Sequence, residues 1–131
     1  MTHEIVNSPD LAAPVGFSHA VVSSGRTVHL GGQTAQGRDG AIIGTTMPEQ
    51  FDVAAGNVVT ALAATGATPD HLVSLIIYVT DVAAYKAALR ELGGLWRKHF
   101  GKHYPAVALL GVQELFDAEA MIELVGTAVL P

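Results

Sequence analysis

Leu72-Val73-Ser74-Leu75-Ile76-Ile77-Tyr78-Val79 is the stretch that decides the fold. The run is short, β-branched and aromatic, and it lies between the turn signal Thr68-Pro69-Asp70 and Asp81, so it predicts a buried strand. A pleat places Val73, Leu75, Ile77 and Val79 on one face and Leu72, Ile76 and Tyr78 on the other. Both faces are apolar and both need cover. Upstream, Thr46-Met47-Pro48-Glu49 has capping-box spacing with proline in the first turn, which predicts a helix start. Phe51, Ala54, Ala55, Val58 and Leu62 then recur at helical spacing until Gly66. Downstream, Asp81 caps a second predicted helix with the stripe Tyr85, Leu89, Leu92, Trp96 and Phe100. Gly93-Gly94 interrupts that stripe. A glycine inside a helix costs about 1 kcal/mol relative to alanine, so a close packing contact or a kink is expected there. Two helices can cover one face of such a sheet, and nothing in the chain is left for the other. Leaving it wet costs about 25 cal/mol per Å² of apolar surface, so a homo-oligomer is expected.

The remaining segments complete the outline. Val21-Val22 and Val28-His29-Leu30 flank Ser23-Ser24-Gly25-Arg26 and read as a hairpin. A glycine-rich loop follows from Gly31 to Gly44. Pro105 precedes a strand from Ala106 to Val112, and a last strand runs from Met121 to Val129. Residues 1–131 are read as a single α+β domain with a mixed sheet and two helices packed on one face.

Composition narrows the function. Hydrophobic residues make up 50% of the 131 and charged residues 15%, which is too apolar for a disordered chain. With 7 basic against 12 acidic side chains, a net charge of −5 and no Lys/Arg cluster, nucleic-acid binding is not expected. The absence of cysteine excludes disulfide scaffolds, thiolate metal sites and cysteine nucleophiles, and fits a reducing cytosol. The start Met-Thr-His-Glu-Ile-Val does not read as a signal peptide, and the longest apolar run falls far short of the about 18 residues that span a bilayer. A cytoplasmic protein without membrane contact is expected.

Six segments, in order, resemble one family. They are Gly16-Phe17-Ser18-His19-Ala20, Leu30-Gly31-Gly32-Gln33, Ala63-Ala64-Thr65-Gly66-Ala67, Tyr78-Val79-Thr80-Asp81, Pro105-Ala106, and Glu119-Ala120-Met121-Ile122-Glu123-Leu124. Together they are similar to the Rid (reactive intermediate deaminase, or YjgF) family over essentially the whole chain. The resemblance implies a chorismate-mutase-like fold, a homotrimer, and ligand clefts between subunits. It also implies hydrolysis of imines or enamines, with an arginine after Pro-Ala clamping a carboxylate and a glutamate on the last strand positioning water. The chain departs from that pattern at Val107, which stands where the arginine would be, at Phe17 in place of tyrosine, at Gly31 in place of serine, and by extra residues around Glu91–Leu95. Valine offers neither charge nor donor to a carboxylate. These departures predict a cleft remodelled for a less charged ligand, or one that has lost its catalytic task.

Glu123 is the candidate catalytic residue, a carboxylate inside the apolar strand Ala120–Val125 that needs a partner or a reason. The resemblance implies that it orients water; an outward-facing carboxylate or a structural ion pair is the alternative. Phe17, Gly31, Gly32, Val107, Ala108 and Leu109 are the candidate ligand-binding residues. Gly31-Gly32-Gln33 has neither dinucleotide nor phosphate-loop spacing. His99 and His103 lie four apart, but Gly101 falls between them and no glutamate follows as in a zinc helix, so no metal is expected. Arg90, Arg97, Lys86 and Lys98 read as the solvated face opposite the stripe, with Arg97 the one arginine placed to stand in for the missing clamp. No cofactor is expected. The expected partners are further copies of the chain and a small organic metabolite. The alternative to a deaminase is a non-catalytic trimer that binds a ligand or a partner.

Overall fold

The strand predicted at Leu72–Val79 forms with those bounds in the computed structural model, which describes residues 3–131. In chain order the elements are β1 (His3–Val6), β2 (Ala20–Ser23), β3 (Arg26–His29), α1 (Met47–Ala64), a single 3-10 turn at Pro69–His71, β4 (Leu72–Val79), α2 (Val82–Ala87), α3 (Leu89–Phe100), β5 (Ala106–Gly111) and β6 (Ile122–Leu130). β4 lies between β6, antiparallel, and β5, parallel, and β3 closes the order β3-β6-β4-β5. A parallel pair cannot be joined by a tight turn and needs a crossover. α2 and α3 are that crossover, and α1 makes the corresponding crossing from β3 to β4.

The caps act as the sequence requires. The Thr46 hydroxyl accepts the Glu49 N–H at 3.3 Å while Glu49 Oε1 accepts the Thr46 N–H at 3.1 Å. Gly66, with φ 84°, takes the left-handed conformation that lets the chain leave α1. The Asp81 carboxylate accepts the Ala84 N–H at 3.0 Å and starts α2.

The core lies between the helices and one sheet face. Phe51, Val58 and Leu62 of α1, Leu92 and Phe100 of α3, and Leu75, Ile77, Val79, Ile122 and Leu124 of the sheet are all buried. On the other face Ile76, Tyr78, Val125 and Thr127 are only half-buried, and Ala108 and Leu110 of β5 are exposed. The helices therefore cover one face of the sheet and leave the other to solvent in a single chain.

Four local expectations are corrected. β2 does not form a hairpin with β3; it pairs with β1 in a separate ribbon, register His3↔Ser23, while β3 pairs with β6. The chain passes between the two sheets at Gly25, where φ is 137° and a Cβ would overlap the Leu130 carbonyl. The second predicted helix is two helices, broken at Ala88 (φ −102°, ψ 8°) and not at Gly93-Gly94. Neither glycine makes a close packing contact, since a Cβ on either meets nothing within 4 Å. Finally, a bulge between Leu72 and Ser74 turns Leu72 into the core and leaves Val73 half-buried, reversing the faces that simple alternation assigns.

One polar link ties α1 to α3. Asp52 Oδ1 accepts hydrogen bonds from His99 Nε2 at 2.6 Å and Lys98 Nζ at 2.9 Å. These bonds, His99 first, hold the Asp52 carboxyl below its ordinary value. A carboxyl depressed in the folded state stabilises above its unfolded value and loses that contribution as pH falls through the folded one. The Asp52 side chain is over a third exposed, so the effect stays below about 1 kcal/mol. Asp52→Asn is expected to lower the urea midpoint at neutral pH, and the gap to wild type should begin to shrink below about pH 4 and close only below the lowered folded value. A gap that is unchanged in acid would assign the loss to packing.

Candidate functional site

The crossover does not seal against the sheet edge. Between α2–α3 and β5 lies a pocket of about 590 Å³, within the roughly 300–1,000 Å³ usual for small-molecule sites. Its floor is Ile77 of β4 with Val107 and Leu109 of β5, which share one sheet face by register. Its helical wall is the stripe predicted as core: Tyr85, Leu89, Leu92 and Trp96, with Gly93 and Arg97 beside it. Val15, Gly16 and Phe17 form the rim. The loop carrying them is pinned to the start of β5, for the Ser18 hydroxyl donates to the Tyr104 carbonyl at 2.5 Å and the Ser18 N–H to the Pro105 carbonyl at 3.0 Å.

The lining is mostly apolar with a few polar atoms. Trp96 stacks on Tyr104 with centroids 5.8 Å apart, and its indole N–H donates to the His103 carbonyl, so only its ring faces the space. Burial pushes the Tyr85 phenol up. Among the described residues no aspartate or glutamate lines the pocket, and Arg97 is its one charged group. Among the described residues Arg97 enters no ion pair.

Glu123 lies elsewhere. It stands across from Tyr78 in the β4–β6 register, on the sheet face opposite Val107 and Leu109. Gln33 exchanges two backbone hydrogen bonds with Leu124, each 2.8 Å, and this lays the Gly31–Gln33 segment along β6. A Cβ on Gly32 would overlap Glu123 Oε2, so glycine is the residue that lets the carboxylate lie there. Glu123 is half-buried, and among the described residues it enters no ion pair.

The predicted site residues thus fall into groups. Phe17, Val107 and Leu109 share the pocket, and Gly32 and Glu123 touch each other. Ala108 borders a shallow groove of about 310 Å³ that Phe17 and Val107 also line. Gly31 is exposed, and a Cβ there would meet nothing. Tyr85, Leu89 and Gly93 are not among the candidates read from sequence, and Arg97 enters there only as a stand-in for the missing clamp beside its reading as solvated face. The one signal for them was the unexplained Gly93 inside a stripe, with Arg97 one turn on. His99 and His103 bond in different directions, to Asp52 and to the Leu72 carbonyl at 2.7 Å.

The sequence pattern of the endoribonuclease L-PSP family matches residues 7–130. A Rid-family protein from Yersinia pestis, YyfB, is 32% identical with a TM-score of 0.90, over 99% of this chain and 100% of that one. A YjgF/YER057c/UK114-family protein from Mycobacterium tuberculosis is 27% identical with a TM-score of 0.65, over 98% of this chain and 100% of that one. An L-PSP-type protein from Entamoeba histolytica is 27% identical with a TM-score of 0.70, over 98% and 99%. No curated protein matches the chain.

Gly32→Ala tests the Glu123 contact. The overlap falls on the far end of a flexible side chain, so the variant should stay within about 0.5 kcal/mol of wild type by urea unfolding, while its crystal structure should show the carboxylate displaced from residue 32. A loss of several kcal/mol would mean that the carboxylate is locked in place.

Proposed function

The chain belongs to the Rid/YjgF family, whose pattern is that of endoribonuclease L-PSP, and from that premise we propose that it is a cytoplasmic homotrimer that binds a small organic metabolite with an apolar body. The observation that carries the reading is the pocket between α2–α3 and β5, with Phe17, Val107 and Leu109 in it and no carboxylate in its lining. Val107 fits this ligand chemistry, since valine adds apolar contact on the floor beneath the ligand's body. The rim supports a cleft completed by a second copy: Val15 is 87% exposed and Leu89 54%, a cost that a neighbouring subunit would remove. The half-open sheet face supports the oligomer on separate grounds, and the family resemblance supports three as its number.

Hydrolytic deamination is the second reading. Glu123 favours it, being a half-buried carboxylate laid on Gly32 and free of ion pairs among the described residues, as a group that orients water would be. Its position across the sheet from the pocket requires that another subunit bring the two together. A ribonuclease reading has less support, because phosphodiester binding is driven by cations and this chain has a net charge of −5 and one guanidinium in its pocket.

Ligand-observed NMR with a mixture of small aromatic and branched aliphatic compounds tests the binding reading. Wild type should bind a subset, and Leu109→Trp, which fills the floor, should lose them while remaining folded. Equal binding by Leu109→Trp would place the ligand elsewhere. Sedimentation equilibrium should give three times the chain mass; a monomer overturns the trimer. For the second reading, 2-imino acids generated in situ should release keto acid faster with wild type and not with Glu123→Ala. A wild type no faster than buffer removes the deaminase reading and leaves the binding reading standing. Val107→Arg is expected to gain affinity for carboxylates in the same assay.

A further inference from the structure

We propose that this pocket selects an organic anion, with the anionic head held by Arg97 and the apolar body lying over Gly93. The inference rests on the binding reading above and assigns the ligand's chemical class and its anchor. Three features of α3 carry it. First, Leu89, Gly93 and Arg97 are spaced four apart, on one line along the helix, and all three line the pocket. Second, Gly93 has no structural need of its own. It lies inside a helix, where glycine destabilises; no turn, positive φ or close backbone approach calls for it, and a Cβ there would enter open space. What its missing side chain provides is room in the pocket wall. Third, helical side chains lean back toward the N-terminus and cover the preceding turn. The preceding turn below Arg97 is Gly93, so the guanidinium stem has an empty surface to lie along and a pocket mouth to reach.

Charge fixes the sign of the ligand. The protein carries a net −5, yet among the described residues no acid lines this pocket and its single charge is positive. Lys98, the next residue, is engaged with Asp52 at 2.9 Å, whereas Arg97 is left without an ion pair among the described residues. The head group then sits at the guanidinium, and the body rests on Trp96, Leu92 and Gly93. This anchor lies on α3 and is separate from position 107 on β5.

Isothermal titration with phenylbutyrate and its neutral amide, phenylbutyramide, tests the proposal. Wild type is expected to bind the carboxylate about tenfold more tightly than the amide, as a charge-assisted contact at a partly exposed site would give. That preference should shrink as salt is raised. Arg97→Gln should bring the carboxylate down to the affinity of the amide, and Arg97→Lys should keep part of the preference. Gly93→Leu, which fills the gap, should abolish binding of both probes. Gly94→Ala is the control: it sits beside Gly93 in the same helix but outside the pocket lining, and it should raise Tm by a few degrees, about 3 °C, with both affinities unchanged. Equal affinity of the two probes for wild type, or a preference that survives Arg97→Gln, overturns the anion assignment while leaving the pocket as the binding site. Undiminished binding by Gly93→Leu overturns the role of Gly93. Failure of wild type to bind either probe at millimolar concentration overturns the pocket itself, and the binding reading with it.

Discussion

The parallel pairing of β4 with β5 is the constraint on which the rest of the structure depends. Register Ser74↔Ala106 through Val79↔Gly111 forces the chain to travel the length of the sheet between the two strands. It does so through α2 and α3, and α1 crosses on the same side to deliver β4 beside β6. Both crossings fall on one face, so that face becomes the core and the other is left with Ile76, Tyr78, Val125 and Thr127 half-buried. One pairing decision thus fixes where the protein is dry and where it has surface to offer.

The pocket follows from an imperfection in the same crossover. A continuous helix with a full apolar stripe would lie flush on β5 and fill the space over Val107 and Leu109. Here the crossover breaks at Ala88, and α3 presents glycine at position 93 where the stripe would carry a side chain. Leu92 and Phe100 still reach the core, so the helix remains anchored while its middle leaves a cavity beneath. Trp96 is shared between the two, with its N–H satisfied by the His103 carbonyl and its ring turned to the pocket. The same stripe of residues holds the helix down and lines the site, which is why core and site could not be separated by periodicity.

What was legible in the sequence was whatever local chemistry specifies. Thr46 and Glu49 announce α1 because a capping box is a two-residue exchange of hydrogen bonds that needs no tertiary context. The β4 run announces itself because eight apolar and β-branched residues have few other uses. The hairpin at Gly25 was misread for the complementary reason. A glycine turn between two short strands says that the chain changes direction, and the choice of partner belongs to β1 and β6, far away in sequence. The break at Ala88 has no local signal. Gly93 was visible as an anomaly, and its explanation, an absence of contacts, could be found only in three dimensions. Glu123 stands out in the sequence as a carboxylate inside an apolar strand, but its face relative to Val107 depends on two strand registers that the sequence does not display.

The two faces also separate two kinds of function. The pocket's described lining comes from one chain, with Val15 and Leu89 left exposed at its edge. Glu123 and Gly32 lie on the opposite face, and no side chain spans a β-sheet from one face to the other. A reaction that used Glu123 on a ligand held near Val107 would therefore need residues from two chains.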